Sequence, residues 1–411
     1  WFTEDPQRFL GEEYSSEDYE QVKDVVEVWF DSGSTHAFCL EQRPDLKWPA
    51  SMYLEGSDQH RGWFHSSLLE SSGTRGRAPY ESVLTHGFVV DGKGRKMSKS
   101  LGNVISPDEI LKLYGVDILR LWVVASDYYD DLKLDKGILQ SQAESYRRIR
   151  NTFRFLIGNL NDFTQNEIID EKDFPELEKY LLHRLWEVDQ VIKQCVASFN
   201  FHLMFTTLLN FCSNDLSAFY FDIRKDVIYC DNLNSHTRRS SRTILNIIFN
   251  FLVRWFAPSI SFTTEEAWKA MGNNTSIHLE DFLSCKDSYK NQKINEKWSI
   301  VKNIRKVATG AIEKIREDKI IRSSLEAHLE LYLSKDIFEK VKDVSFNEVA
   351  ITSSFKIDII NQNSTGFEID DLPDIKVKAI KNNGYKCQRC WKYEDHLVND
   401  EICKRCSDAI T

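Results

Sequence analysis

Near the C-terminal end, Cys387 and Cys390 stand two residues apart, Cys403 and Cys406 stand two apart, and twelve residues separate the pairs. No other feature constrains the local fold as tightly. Each pair sits on a short turn that can bite one ion, and four thiolates complete a tetrahedron around Zn2+. With every position filled by protein, such a site is closed and structural, so one Zn2+ is expected. Two disulfides are the alternative. The other cysteines, Cys39, Cys195, Cys212, Cys230 and Cys285, lie mostly among apolar residues and read as reduced core thiols. Nothing in this usage asks for an oxidising compartment, so a cytoplasmic location is expected.

At 411 residues the chain is expected to hold two or three domains of about 150 residues each. Apolar residues make up 42%, charged residues 28%, and Pro only 8 positions, which argues for packed cores rather than long disorder. The net charge of −10 excludes a global basic field, so a nucleic-acid partner would have to rest on local cationic patches. The chain opens Trp1-Phe2-Thr3-Glu4-Asp5, without the basic start and apolar core of a secretory signal. Because that opening also lacks Met, a fragment with its true N-terminus upstream is expected. The most apolar stretch, Leu245 to Phe256, is interrupted by Asn246, Asn250 and Arg254. It is too short and polar to span a bilayer and reads as a buried helix; no membrane partner is expected.

Three apolar runs in the front third each close on a polar turn. Val25 to Phe30 ends at Asp31-Ser32-Gly33, Ser51 to Leu54 at Glu55-Gly56-Ser57-Asp58, and Ser82 to Val90 at Asp91-Gly92. All three read as strands. With helices expected over 59–71 and 106–114, the alternation predicts an α/β layer with a parallel sheet. Ligands of such sheets sit beyond the carboxyl ends of strands, where these polar clusters fall. From about 138 to 325 the pattern is helical, with Leu177, Leu181, Leu185, Val188 and Ile192 at helical spacing. Thr263 with Glu266 reads as a capping box after Pro258. Alternation returns over 326–360, where Leu329, Leu331 and Leu333 oppose His328, Glu330 and Tyr332, predicting a small α+β unit. Residues 361–375 read as a polar connector.

The segment Gly94 to Asn103 packs Arg95, Lys96 and Lys99 among two glycines and two serine hydroxyls. Ammonium and backbone N–H groups on such a loop suit phosphate oxygens. Glu55-Gly56-Ser57-Asp58-Gln59 offers carboxylates and an amide for ribose hydroxyls or an ammonium, or simply a capped helix start. Trp29 and Trp63 are rigid enough to wall an apolar pocket, or to serve as core. Tyr146 to Asn151 with Arg154 puts several cations on one helix, and His236 to Arg239 with Arg242 is a weaker case; either could face phosphates or solvent. Around the cysteines, Lys376, Lys378, Lys381, Lys386, Arg389 and Lys392 form a basic flank, and Trp391 and Tyr393 add stacking surfaces, which together suit RNA. No Gly-x4-Gly-Lys-Ser/Thr occurs, which excludes a P-loop NTPase.

Lys96-Met97-Ser98-Lys99-Ser100 resembles the signature loop of class I aminoacyl-tRNA synthetases. Trp29 to Ser34, Tyr53 to Phe64 and Leu84 to Phe88 resemble, in order, the catalytic blocks of bacterial-type isoleucyl-tRNA synthetases. Ser145 to Thr152, Asp215 to Asp222 and Ala257 to Trp268 resemble the helical region of that family, and the four cysteines with Trp391 its terminal zinc module. The string Gly56 to Trp63 points to isoleucine rather than valine or leucine enzymes.

The resemblance implies a Rossmann-like half-domain, then a helical bundle, a small α+β unit and a zinc-binding module. The implied divisions are 1–126 for the second half of the catalytic domain and 127–165 for a connector contacting the tRNA stem. They continue with 166–325 for the anticodon-binding bundle, 326–375 for the small unit with its connector, and 376–411 for the zinc module. It implies ATP-dependent activation of L-isoleucine, transfer to tRNA(Ile), Mg2+ with the ATP, and a monomer. Lys99, with Lys96 assisting, would bind the ATP phosphates. Glu55 would bind the aminoacyl-adenylate with Gly56, Asp58 and Gln59 nearby, while Trp29 and Trp63 would line the isoleucine pocket. Cys387, Cys390, Cys403 and Cys406 would hold the zinc. No His-x-Gly-His motif occurs in these residues, and the editing domain of the family is expected upstream, so the chain alone is expected to be inactive. The competing readings are a non-catalytic tRNA-binding protein with a vestigial front, and a valyl or leucyl enzyme of the same class.

Overall fold

A computed structural model describes residues 2–25 and 27–410, and the chain packs as two units. One comprises residues up to 105 with 127–135; the other comprises 106–126 with 136 onward.

In the first unit, Val28–Gly33 is a helix, α1, where the apolar run predicts a strand. The reason is local. The Glu27 carboxylate accepts from the backbone N–H groups of Trp29 (2.7 Å) and Phe30 (3.1 Å), satisfying donors that a helix start leaves open. Residue 26 of that run lies outside the described residues. β1 (Tyr53–Gly56) leads through a tight turn into α2 (Trp63–Arg75), on which α1 packs. Gly33 permits that approach: a Cβ there would lie 2.6 Å from Glu70 Oε1 and 3.0 Å from the Ser67 nitrogen. β2 (Val83–His86) pairs parallel with β1, placing Glu55 opposite Thr85 and Gly56 opposite His86. The expected single run over 82–90 breaks at Gly87, and β3 (Val89–Asp91) instead pairs parallel with β4 (Leu132–Leu134).

The division into compact units does not follow the expected boundary at 126. α3 (Pro107–Tyr114) and α4 (Val116–Ala125) belong to the second unit. α4 buries Ile118, Leu121 and Trp122, and its Arg120 donates to the carbonyls of Pro258 (2.5 Å) and Ser259 (3.1 Å). The expected connector over 127–165 is likewise divided: β4 returns to the first unit, and α5 (Lys136–Leu160) is a core helix burying Ile149, Phe153, Leu156 and Leu160.

α6 (Glu176–Ala197) buries Leu177, Leu181, Leu185, Val188 and Ile192 on one face, as their spacing predicts. α7 (Phe201–Asn210) runs through a π-helical stretch, Phe211–Phe221, into α8 (Asp222–Cys230). α9 (His236–Phe256), buried along its apolar half, α10 (Ser261–Ala270) and α11 (Gln292–Glu317) complete the helical body. The capping box at Thr263 does not form, because α10 already begins at Ser261. Asp117 of α4 caps it from outside, accepting from Thr263 N (2.8 Å), Thr263 Oγ1 (2.6 Å) and Phe262 N (3.3 Å).

β5 (Ala327–Leu333) turns Leu329, Leu331 and Leu333 inward, as the alternation predicts. It is followed by α12 (Lys335–Val341), α13 (Phe346–Val349), β6 (Ser354–Ile359) and β7 (Ile375–Lys381). The sheet order is β6-β5-β7, with β7 antiparallel, so the expected division at 375/376 falls inside a strand. Short strands β8 (Tyr385–Lys386) and β9 (Tyr393–Glu394) and helix α14 (Lys404–Ile410) frame the cysteines. Among the described residues no helix is long and apolar enough to cross a membrane.

At the centre of the helical body, Glu178 is fully buried and accepts from Arg224 Nε (2.7 Å) and Nη2 (2.9 Å), Tyr220 Oη (2.9 Å) and Ser241 Oγ (3.2 Å). Arg224→Met strands a buried carboxylate and is expected to cost about 3–5 kcal/mol. The check is the urea midpoint of the far-UV circular dichroism transition. Glu178→Gln in the same background should restore part of the loss.

Candidate active-site cleft and metal centre

Trp29, Ser32 and Thr35 from the α1 region meet Glu55, Gln59 and Trp63 around a cleft of about 310 Å3. The cleft forms because β1 ends in a turn that reverses the chain into α2. Gln59 builds that turn: its Oε1 accepts from the Trp63 backbone N–H (3.1 Å) and its Nε2 donates to Asp58 (3.2 Å). Gly62 leaves room for that amide, since a Cβ would sit 2.6 Å from Gln59 Oε1 and push it from the turn. The Trp63 indole donates to the Ser32 carbonyl (2.9 Å) and stacks on Tyr53, ring centroids 4.2 Å apart at 6°. Burial pushes the Tyr53 phenol up, and its hydroxyl lies 3.1 Å from Ser67 Oγ. Trp29, 40% exposed, and Glu55 both face solvent. The arrangement can therefore hold an apolar side chain against indoles while a carboxylate meets an ammonium.

Four of the expected site residues thus share one cleft: Trp29, Glu55, Gln59 and Trp63. Gly56 is buried in β1 and Asp58 lies in the turn, beside them in the chain rather than on the cleft wall. Lys96 and Lys99 are exposed residues of a separate loop. Ser32 and Tyr53 fall within the polar cluster and motif blocks noted in the sequence but, like Thr35, are not among its expected site residues; a serine between Asp31 and Gly33 carries no signal of what its carbonyl will bond.

The loop is organised by Asp91, at the end of β3. Its Oδ1 accepts from the backbone N–H of Lys93 (3.0 Å) and Arg95 (2.9 Å), and its Oδ2 from Arg95 Nε (2.9 Å) and Asn103 Nδ2 (3.0 Å). The Arg95 N–H above all, then the Asn103 amide and Arg95 guanidinium, hold this carboxyl far below the usual range. Gly94 and Gly102 take positive φ, 78° and 62°, at the two bends.

The four cysteine Sγ atoms are buried and lie within 4.8 Å of one another, with Cys390 and Cys403 at 3.8 Å. The thiols are unpaired, so the disulfide alternative is not what the structure adopts. A tetrahedron with Zn–S bonds of about 2.3 Å has S···S edges of about 3.8 Å, so the donor set and its spacing fit zinc. Burial opposes ionisation of Cys387, but backbone N–H groups of Cys390, Cys403 and Arg389 outweigh it and bring the thiol down to about 6. Burial pushes Cys390 and Cys403 up, the conflict that a bound cation resolves.

Many residues of the candidate cationic patches are engaged in ion pairs or bonds to carbonyls. Lys376 and Lys378 lie on β7, paired with Glu368 (2.9 Å) and Glu330 (3.1 Å). Lys392 (3.0 Å) and Arg405 (2.7 Å) seat the cysteine module on Asp226 of α8. Burial would raise Asp226, but bonds from Arg405 and the charge of Lys392 bring it down to about 2. Arg389 donates to the carbonyls of Cys230 and Tyr229. Trp391, 61% exposed with Lys386 over its ring, remains an open stacking surface. On α5, Arg150 pairs with Glu266 and Arg147 with Glu144, leaving Arg148 and Arg154 as exposed residues. Arg242 is buried against Glu167 and Asp162, while Arg238 and Arg239 bond backbone carbonyls.

Residues 1–135 match the family described as tRNA synthetases class I (I, L, M and V), and residues 178–331 match the anticodon-binding domain of tRNA ligase. The front third of the chain is therefore similar to class I tRNA synthetases, and its middle to their anticodon-binding domain. Among its relatives are proteins named isoleucine–tRNA ligase. That of Pelagibacter ubique is 55% identical over 99% of this chain and 44% of its own length. That of Zymomonas mobilis is 44% identical over 100% of this chain and 43% of its own length. That of Mesorhizobium japonicum is 47% identical over 96% and 40%. The chain thus spans less than half the length of the relatives it matches.

Purified protein is expected to carry one zinc per chain by plasma mass spectrometry, and Cys403→Ser to lose it, with chelation unfolding the cysteine module. The Asp226 seat has its own signature. Its folded pKa lies below the ordinary 3.8, so its stabilisation is present above about pH 4 and lost as pH falls towards 2. Asp226→Asn should therefore be less stable than wild type by about 1–2 kcal/mol at pH 7, a difference that fades over that acid window. Paired thermal melts across pH check it.

Proposed function

We propose that this chain forms the part of an isoleucine–tRNA ligase that grips the nucleotide's phosphates, walls the amino-acid pocket and holds tRNA(Ile). In the first step the carboxylate of L-isoleucine attacks the α-phosphorus of ATP. The bond from that phosphorus to the bridging oxygen breaks, giving isoleucyl-adenylate and pyrophosphate. In the second, a terminal ribose hydroxyl of the tRNA attacks the acyl carbon and AMP leaves.

Lys99, assisted by Lys96, binds the phosphate oxygens as negative charge moves onto the departing pyrophosphate. Mg2+ accompanies the ATP. Glu55 holds the ammonium end of the adenylate, with Gly56, Asp58 and Gln59 shaping the turn beside it. Trp29 and Trp63 flank the isoleucine side chain, where burial of its methyl and methylene groups supplies affinity. Helices α5 to α11 and the cysteine module meet the tRNA. A Zn2+ held by Cys387, Cys390, Cys403 and Cys406 would lock the two turns that present Trp391. The unpaired cysteines suit the cytoplasm.

The observation that carries this reading is the cleft itself: two indoles and a carboxylate from separate stretches converge at the carboxyl end of a parallel strand. The identity of 55% to an isoleucine–tRNA ligase over 99% of the chain supports the same substrate.

The test is isoleucine-dependent ATP–pyrophosphate exchange by the full-length polypeptide containing this chain. Lys99→Ala is expected to lower exchange about 10²–10³-fold. The 411-residue chain alone, lacking a His-x-Gly-His motif, is expected to give none. Exchange that survives Lys99→Ala intact would remove the assigned role. A full-length protein that binds tRNA(Ile) without any exchange would establish the non-catalytic reading instead.

A further inference from the structure

We propose that Asp91 and Asn103 are positioning residues that preset the Gly94–Asn103 loop, so that Lys96 and Lys99, but not Arg95, are offered to a polyphosphate. This rests on the proposed function of the loop and assigns its geometry to two side chains outside the signature string.

Among the loop's three cations the structure makes a sharp distinction. Arg95 is ion-paired to Asp91 at 2.7 Å and also donates its Nε to the same oxygen at 2.9 Å. Its guanidinium is engaged by Asp91, although 57% of the side chain stays exposed. Lys96 and Lys99 are exposed, outside that pairing. An ionised carboxylate has about four acceptor positions. Asp91, its side chain only 11% exposed, receives donors from Lys93, Arg95 and Asn103, so both limbs of the loop close on one group.

Asn103 completes the brace. Its Oδ1 accepts from the Ser98 N–H (2.9 Å), and its Nδ2 donates to Asp91 (3.0 Å) and to the Lys96 carbonyl (3.2 Å). One amide thus fixes the backbone on both sides of Met97, at the residue that carries the first ammonium and at the residue that starts the turn carrying the second. Ser98 caps that turn, its Oγ accepting from Leu101 N (3.3 Å). A long surface loop without these bonds would sample many shapes, and two ammonium groups would have to be ordered at each binding event. The brace removes that cost in advance.

The experiment uses the full-length polypeptide and Mg–ATP. Asn103→Ala is expected to lower kcat/KM for ATP in the exchange reaction about 10- to 100-fold, leave KM for isoleucine unchanged, and leave thermal melting unchanged within a few degrees. Asn103→Asp keeps the acceptor for Ser98 but sets a second carboxylate against Asp91, and should do no better. The decisive comparison removes both ammonium groups: Asn103→Ala added to Lys96→Ala with Lys99→Ala should be no worse than that lysine pair alone, because the brace acts through the two lysines. Full additivity of the Asn103→Ala loss with that of the lysine pair, or an unaltered Asn103→Ala enzyme, overturns the proposal while leaving Lys99 in its role. Normal exchange by Lys99→Ala sinks the reading of the loop first, and the brace with it.

Discussion

Glu178 cannot be hydrated where it lies, so every donor it needs must come from the protein. Those donors arrive from the π-helical stretch (Tyr220), α8 (Arg224) and α9 (Ser241). Satisfying one carboxylate therefore locks several segments into one register against α6. The consequence reaches outward along α8. Arg224 also bonds Glu348 beside the small sheet, at 2.9 Å, and Asp226, two residues on, seats the cysteine module through Arg405 and Lys392. The placement of the cysteine-bearing turns descends from a buried ion pair in the helical body.

The same device recurs wherever distant segments have to be joined. Asp117 starts α10 from another helix, Glu27 starts α1 from just outside it, and Asp91 closes the cationic loop. A chain with net charge −10 thus turns many of its carboxylates inward, on backbone N–H groups and guanidinium forks. This is why several cation clusters conspicuous in the sequence are not open surfaces. Arg150, Arg242 and Lys392 are each held by a carboxylate, and a polyanion would meet a more selective set, such as Arg148, Arg154 and Lys386 with Trp391.

Legibility followed the range of the physics. The helical spacing of Leu177 to Ile192 and the alternation of Leu329 to Leu333 were readable because amphipathic period is written into neighbouring residues. Val28 to Phe30 misled because β-favouring side chains were outweighed by one capping carboxylate. The capping box at Thr263 misled because the hydroxyl found Asp117, 146 positions away. That α4 packs with the helical body was not legible because its sequence looks equally able to cover a sheet or a helix bundle; only the partners of Asp117 and Arg120 decide.

What was decided in one dimension was chemistry: four thiols spaced to close on one ion, a cationic glycine-serine loop, and polar turns after apolar strands. Spacing alone delivers these because donors within a few residues share a turn. What folding alone decided was which groups are available. Gln59 is spent building its turn, Arg95 is spent on Asp91, and Trp29 meets Trp63 only because α1 and α2 pack at Gly33. Pairing across dozens of residues depends on competition for partners in space, and no local pattern encodes the outcome of that competition.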